Sequence, residues 1–173
     1  MHPYRCQVCG ETYLGATPPD RCPFCGAAGS EIKKAALWFD RGQVKMSEKS
    51  YQNCAKALDL ELNNAAFYKC AVSKASNQIS QSIFKRLFKQ ELEHAELLAN
   101  AMGIALPELP AGQCQASDGE NFVEAHDHED TAINFYLQAA IDANQSGEAE
   151  ISYIFRQLSE IETEHLILTN TYK

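Results

Sequence analysis

The sequence contains no apolar run that approaches the roughly 20 residues needed to span a bilayer, and it contains no cluster of lysine and arginine. Its net charge is −8, from 23 acidic and 15 basic residues, so it lacks the basic surface that binds nucleic acid or anionic membranes. The start, Met1 to Cys6, leaves no room for the hydrophobic region of a signal peptide. We therefore expect a cytoplasmic protein with no nucleic-acid or membrane partner.

Cysteine, by contrast, is abundant and concentrated. Four of the seven cysteines form two Cys-x-x-Cys knuckles that are separated by 12 residues, Cys6 with Cys9 and Cys22 with Cys25. Gly10 and Gly26 follow the knuckles and allow the backbone to turn tightly. Four thiolates at this spacing are typical of one tetrahedral ion, either structural zinc or redox iron. The spacing alone does not choose between the two metals.

The knuckles predict a small domain over residues 1–35, which is too short to bury a stable core without its ion. A linker over residues 36–45 follows, with Trp38 and Phe39 as an anchoring pair. The remaining cysteines, Cys54, Cys70 and Cys114, fit no ligand pattern. In a reducing compartment we expect them to be small buried side chains or free thiols, not disulfides.

Beyond Val44, helical periodicity predicts four long helices. They run from near Ser47 to Lys74, from Ser76-Asn77 to Met102-Gly103, from Asp118 to about Asn144, and from Ser146-Gly147 to the carboxyl end. The first two helices are separated by a short break, as are the last two, so each pair forms an antiparallel hairpin. Residues 103–117 can extend over roughly 50 Å, which is enough to return the chain along the length of the bundle. One long crossover between two hairpins predicts a mainly α, ferritin-like four-helix bundle over residues 46–173.

Each predicted helix has an inward stripe that is apolar at its ends and ionisable near its middle. The ionisable residues are Glu61 and Tyr68, Glu91 and His94, His126 and Glu129, and Glu162 and His165, in chain order. Four buried carboxylates without compensation would cost many kcal/mol, so the pattern predicts two divalent cations. Di-iron proteins of this fold have a known ligand pattern: one lone Glu from each of two helices, and Glu-x-x-His from each of the other two.

A two-knuckle segment followed by such a bundle resembles the reverse rubrerythrins over nearly the whole chain. The most specific marks are the gap between the knuckles, the paired Glu-x-Glu-His repeats, and Glu61 followed seven residues later by Tyr68. The resemblance implies a rubredoxin-like iron centre held by the four knuckle cysteines, with zinc if it is misloaded, and two non-haem irons in the bundle. It also implies a homo-oligomer, a dimer or tetramer, that acts against oxidative stress in oxygen-sensitive organisms.

The third helix departs from this family, which usually has Glu-x-x-Glu where this chain has His126-Asp127-His128-Glu129. We expect His126 to be a metal ligand, because it stays on the inward stripe, and the alternative is that it hydrogen-bonds a ligand. His128 points away from that stripe and is expected on the surface.

The resemblance implies a peroxidase that reduces hydrogen peroxide to water with electrons from a reductase or another donor. Its catalytic residues would be Glu61, Glu91, Glu129 and Glu162, with Glu91 and Glu162 bridging the metals; Tyr68 is a candidate proton relay or a satisfied core tyrosine. The knuckle iron would re-reduce the site, and we expect this transfer to run between subunits. Two alternatives remain. The first is a ferroxidase or iron-storage protein, but the attached electron-transfer domain argues against it. The second is a non-enzymatic zinc-ribbon scaffold, but the four inward carboxylates argue against that.

Overall fold

The structure is a computed structural model that describes residues 1–40 and 44–173. Its amino-terminal part contains a three-stranded antiparallel sheet in the order β2-β1-β3, with β1 at His2–Cys6, β2 at Thr12–Gly15 and β3 at Ile32–Lys34. In the central strand, Tyr4 pairs with Tyr13 on one side and with Lys34 on the other. So small a sheet holds little apolar surface, and its buried cluster includes three of the knuckle cysteines.

The expected linker is described only in part, because its residues 41–43 lie outside the described residues. Of the predicted anchoring pair, Trp38 donates its indole N–H to the carbonyl of Cys6 at 2.9 Å. The guanidinium carbon of Arg5 lies 3.6 Å from the centre of the indole ring. Phe39 is 56% exposed. Trp38 therefore fastens this segment to the first knuckle.

Four long helices follow, and they confirm the predicted mainly α fold class. They are α1 at Glu48–Lys74, α2 at Gln78–Met102, α3 at Asp118–Gln145 and α4 at Ala149–Tyr172. The side chains of Ser47, Asn77 and Ser117 accept hydrogen bonds from the first backbone N–H groups of α1, α2 and α3, which explains where these helices begin. None of the helices in the described ranges is long and apolar enough to cross a membrane.

The hairpins α1–α2 and α3–α4 are tied together at their turns by carboxylates. Asp118, at the start of α3, accepts hydrogen bonds from Ser76 Oγ at 2.7 Å and Asn77 Nδ2 at 2.9 Å. Glu148, just before α4, accepts from Ser47 Oγ at 3.1 Å and also from Ser50 Oγ. Each hairpin thus stabilises a helix start in the other hairpin.

The crossover between α2 and α3 packs tightly on α1. A Cβ atom at Gly112 would lie only 1.9 Å from the carbonyl oxygen of Ala66, so only glycine fits this approach. Two residues later, Cys114 forms a disulfide with Cys70 of α1. The expectation of free thiols was wrong for this pair, because the returning crossover brings together two cysteines that are 44 residues apart in sequence. Cys54, in contrast, is a fully buried free thiol, as expected.

Candidate metal centres

The four knuckle cysteines converge at one point. Cys6 Sγ lies 3.8 Å from Cys25 Sγ, Cys9 Sγ lies 3.8 Å from Cys22 Sγ, and all four sulfur atoms lie within 4.8 Å of one another. Sulfur atoms bonded at about 2.3 Å to one tetrahedral ion have this spacing. The contact with Cys22 raises the pKa of the Cys9 thiol, whereas the contact with Cys25 lowers the pKa of the Cys22 thiol. A bound cation would allow all four to be thiolates.

Both knuckles use the same local turn. Gly10 and Gly26 have φ of 83° and 84°, and their N–H groups donate at 3.0 Å to the carbonyls of Cys6 and Cys22. This left-handed backbone is open to glycine at little cost. The four-cysteine metal site is therefore encoded almost entirely by local sequence.

The inward carboxylates and imidazoles meet in the middle of the bundle as two overlapping groups. The first contains Glu61, Glu91, His94 and Glu162, and the second contains Glu91, Glu129, Glu162 and His165. His94 Nδ1 lies 3.0 Å from Glu162 Oε1 and 3.5 Å from Glu61 Oε2. His165 Nδ1 lies 2.8 Å from Glu162 Oε2 and 3.1 Å from Glu91 Oε1. Glu91 and Glu162 belong to both groups, which is the arrangement that two bridging carboxylates require.

The side chains of this carboxylate-histidine site are buried, and burial shifts their pKa values. Burial and the charge of Glu162 raise the pKa of Glu61, and burial and the charge of Glu91 raise the pKa of Glu129. Burial opposes protonation of His94 and His165, but the neighbouring Glu162 raises the pKa of both. Despite burial, these imidazoles lower the pKa of Glu91 and Glu162.

These directions favour extra protons on Glu61, Glu129, His94 and His165 in the metal-free protein. Divalent cations would compete with these protons for the same ligand atoms. Binding would therefore release protons, as expected where ligands must be deprotonated.

Two tyrosines hold the lone carboxylates in place. Tyr68 on α1 donates a hydrogen bond to Glu129 on α3, and Tyr136 on α3 donates one to Glu61 on α1. Burial, together with the charge of the bonded carboxylate, raises the pKa of both phenols, so they remain neutral donors. Tyr68 is among the residues predicted from the sequence, whereas Tyr136 is not. The signal for Tyr136 is a repeated spacing, since each tyrosine stands seven residues after the lone glutamate of its own helix.

The same repeat clarifies the third helix. The pair Glu129 and Tyr136 on α3 corresponds to the pair Glu61 and Tyr68 on α1. Glu129 is therefore the lone glutamate of α3, as Glu61 is of α1. His126 lies three residues earlier, roughly 60° around the helix. Its side chain is 25% exposed, its Nδ1 lies 3.5 Å from Asp127 Oδ1, and it belongs to neither group of candidate ligands in the described residues.

His128 also differs from its expected surface position. Its ring packs edge-on against Phe67 with centroids 4.8 Å apart, and its side chain is 32% exposed. Burial lowers the pKa of this imidazole. His128 is therefore part of the packing around α1 and α3, outside the carboxylate-histidine site.

The two candidate centres touch each other within one chain. His94 Nε2 donates to the carbonyl oxygen of Cys25 at 2.9 Å, and His165 Nε2 donates to Gln90 Oε1 at 3.0 Å. Because carbonyl oxygens can only accept, both imidazoles keep a proton on Nε2 and present Nδ1 to the carboxylates. This hydrogen bond joins the two centres inside a single chain, and electron transfer between subunits stays a prediction.

Close packing seats the second knuckle on the bundle. Ile161 of α4 joins the buried cluster of the small domain. A Cβ atom at Gly26 would lie 3.1 Å from Ile161 Cγ2 and 3.2 Å from Gln90 Nε2, so these side chains would have to shift slightly to admit it. An ion pair between Arg21 and Glu164, at 2.5 Å, closes the edge of this contact.

The unsatisfied polar atoms of the bundle fit bound cations. Buried polar atoms in proteins nearly always have hydrogen-bond partners. Within the part of the chain that the structure describes, the buried atoms without one include Nδ1 of His94 and His165, Oε2 of Glu61 and Glu129, and both carboxylate oxygens of Glu91 and Glu162. All of them face the centre, and such a set of oxygen and imidazole ligands suits divalent first-row metals such as iron.

Comparison with known proteins agrees with this geometry. Residues 4–32 match the family model of the rubredoxin-like domain of rubrerythrin. Reverse rubrerythrin-1 of Clostridium acetobutylicum is 25% identical over 114 residues, which make up 60% of this chain and 63% of that protein. The match thus spans less than two thirds of the relative's length.

Solved structures resemble the bundle. An open-pore ferritin from the hyperthermophilic archaeon Archaeoglobus fulgidus superposes with a TM-score of 0.61 at 14% identity, over 74% of this chain and 85% of that one. The bacterioferritin of Desulfovibrio desulfuricans, which has a diiron site, gives a TM-score of 0.50 at 19% identity, over 73% and 82%. These likenesses confirm the ferritin-like fold. The matched knuckle segment and the relative from Clostridium acetobutylicum confirm the resemblance to the reverse rubrerythrins. This chain joins a rubrerythrin-type rubredoxin-like domain to a ferritin-like bundle that contains a di-iron-like site.

Proposed function

We propose that the protein is a non-haem di-iron peroxidase that reduces hydrogen peroxide to water. The supporting observation is the 2.9 Å hydrogen bond from His94 Nε2 to the carbonyl oxygen of Cys25. It couples a site suited to a one-electron metal directly to an imidazole of a site suited to two metals. Iron storage would need no such attached centre, and a zinc scaffold would need no buried carboxylate-histidine site.

The ligands follow from the two groups of converging atoms. Cys6, Cys9, Cys22 and Cys25 would hold one iron; Glu61 and His94 would complete one ion of the bundle, and Glu129 and His165 the other. Glu91 and Glu162 would bridge both. When bound, two ferrous ions can supply one electron each to break the O–O bond of peroxide.

The remaining side chains exclude water and hold protons. All four carboxylates are fully buried, so bulk water is kept from the reacting centre. Tyr68 and Tyr136 each occupy one oxygen of a lone glutamate with a phenolic proton, which leaves the other oxygen directed at the centre. We assign both tyrosines the role of orienting these ligands and keeping a proton close to them.

Electrons would enter through the first knuckle. Cys9 is the half-exposed member of the four cysteines and borders a cavity of about 260 Å³, which is also lined by Arg5, Glu11 and Trp38. The cavity is also lined by Leu97 and Asn100 of α2, so a reductase or small electron donor that approaches the metal here would contact the bundle as well. A homo-oligomer, a dimer or tetramer, and a cytoplasmic location complete the proposal.

The test compares two loadings of the four-cysteine site in protein that contains two ferrous ions in the bundle. With iron in the knuckles and an excess of reductant, repeated additions of peroxide should be consumed, and the visible ferric-thiolate absorption should appear and fade with each addition. With zinc in the knuckles, peroxide should be consumed only until the electrons stored in the protein are spent. Sustained turnover with zinc would contradict the electron-carrier role. Uptake of many more than three irons per chain would favour iron storage.

A further inference from the structure

A row of stacked aromatic rings leads from the carboxylate-histidine site to the protein surface. Tyr68 donates its hydroxyl to Glu129, and its ring stacks on Phe84 with centroids 6.3 Å apart. Phe84 stacks on Phe122 at 4.4 Å, and Phe122 stacks on Tyr172 at 5.3 Å. One ring comes from each of the four helices. We call Tyr68, Phe84, Phe122 and Tyr172 the aromatic chain.

The aromatic chain runs from a dry interior to solvent. Tyr68 and Phe84 are fully buried and Phe122 is 2% exposed, whereas Tyr172 is 43% exposed. Both ends are phenols, which lose an electron far more readily than phenylalanine does. The two phenylalanine rings therefore act as a medium for electron tunnelling, and the tyrosines are the positions at which an oxidising equivalent can rest.

Other routes from the site lack these properties. A branch from Tyr68 through Phe67 ends at His128, whose imidazole is harder to oxidise than a phenol. On the opposite side, Tyr136 contacts Phe135 and Phe155, and the ring contacts in the described residues continue from neither to an exposed tyrosine. We therefore place the exit on the Tyr68 side of the site.

We propose that the aromatic chain carries oxidising equivalents out to Tyr172 when the four-cysteine centre cannot supply electrons. This inference rests on the proposed peroxidase function. An electron would leave Tyr172 and pass inward to the oxidised site, while the phenolic proton goes to solvent and a neutral tyrosyl radical remains. Two such radicals on two molecules would couple through a carbon–carbon bond. In sum, two molecules that each receive one hydrogen peroxide give four waters and one dityrosine. In each molecule one electron comes from Tyr172 and the other from the bundle iron, so the oxidising equivalent leaves the site without oxidising the buried ligands.

The test uses full-length protein with iron in the bundle and zinc in the knuckles, which removes the competing electron source. After peroxide is added, we expect a tyrosyl radical signal by electron paramagnetic resonance, then dityrosine fluorescence and covalent dimers. Tyr172→Phe should lose most of the dityrosine. Tyr51→Phe is the matched control, because Tyr51 is similarly exposed, at 39%, and lies outside the aromatic chain. Phe84→Leu should lower the yield while leaving Tyr172 in place.

Oxidation of the bundle iron, followed by its absorbance in the same samples, separates the two proposals. If peroxide does not oxidise this iron, the proposed function fails. If the iron is oxidised but dityrosine is absent, or persists in Tyr172→Phe, the aromatic chain is not the exit. Dityrosine in Glu162→Gln, which should not hold both irons, would indicate surface chemistry of free iron and would also overturn the inference. With reduced iron in the knuckles, the dityrosine should be suppressed.

Discussion

The four-cysteine centre and the carboxylate-histidine site are built in contrasting ways. The first takes all its ligands from two turns between Cys6 and Cys25, on strands of only three to five residues. The second collects its candidate ligands from four helices, between Glu61 and His165. In the small domain, a bound metal can therefore replace a hydrophobic core as the source of stability. In the bundle, a metal binds within a hydrophobic core that the four helices form by packing together.

The largest effect expected from this contrast is loss of the small domain without its ion. Metal removal by a chelator, or Cys22→Ser, should unfold residues 1–35 while the four helices persist, because a structural ion contributes on the order of 10 kcal/mol. Hydrogen exchange resolved along the chain measures both regions at once. Cys54→Ser, which changes a buried thiol outside the knuckles, should leave exchange in residues 1–35 unchanged. Protection of those residues in the metal-free protein would refute the contrast.

Next in size is the loss of metal from the bundle when a shared carboxylate is changed. Glu162→Gln removes a residue common to both groups of candidate ligands, so the bundle should lose both ions while the knuckles keep theirs. Helical circular dichroism should stay near the wild-type value, since glutamine has the same shape. Metal analysis per chain is the measurement, with the exposed Glu96→Gln on α2 as control. Retention of two bundle ions in Glu162→Gln would remove this residue from the ligand set.

A smaller effect should appear in the pH dependence of the metal-free bundle. The pKa values of Glu61, Glu129, His94 and His165 are raised in the folded state, so above pH 6.5 the folded protein binds more protons than the unfolded chain. Its stability should then fall as pH rises, by up to about 1.4 kcal/mol per pH unit for each such proton. Urea denaturation across this range would measure the slope. Metal-loaded protein should lack it, and an equal slope in both forms would contradict the raised pKa values of these four groups.

The smallest effect concerns His126. Because its side chain is partly exposed and lies outside both groups of candidate ligands, His126→Ala should retain two bundle ions and change stability by no more than about 0.5 kcal/mol. His126→Glu should leave the reduction potential of the loaded site where it is in the unsubstituted protein. Loss of one ion in His126→Ala, or a lowered potential in His126→Glu, would restore the ligand role expected from the sequence.

The features that could be predicted from the sequence are those that depend on the spacing of nearby residues. The knuckles, the helix starts at Ser47 and Asn77, and the crossover all follow from short-range patterns. The residues chosen for the bundle site were found together, except His126, because inward stripes of packed helices must face one another. The misses are contacts between distant segments. Neither the Cys70–Cys114 disulfide nor the bond from His94 to Cys25 has a linear signature, since each depends on how one segment docks on another.

The reciprocal bonds of Tyr68 and Tyr136 have a further consequence. The α1–α2 hairpin supplies Tyr68 to Glu129, and the α3–α4 hairpin supplies Tyr136 to Glu61. Two identical helical hairpins that pair about a twofold axis would exchange contacts in this same way. The crossover then serves as a tether between two halves that would otherwise have to find each other in solution. By fixing their effective concentration, it makes completion of the site an intramolecular event that does not depend on how much protein the cell contains.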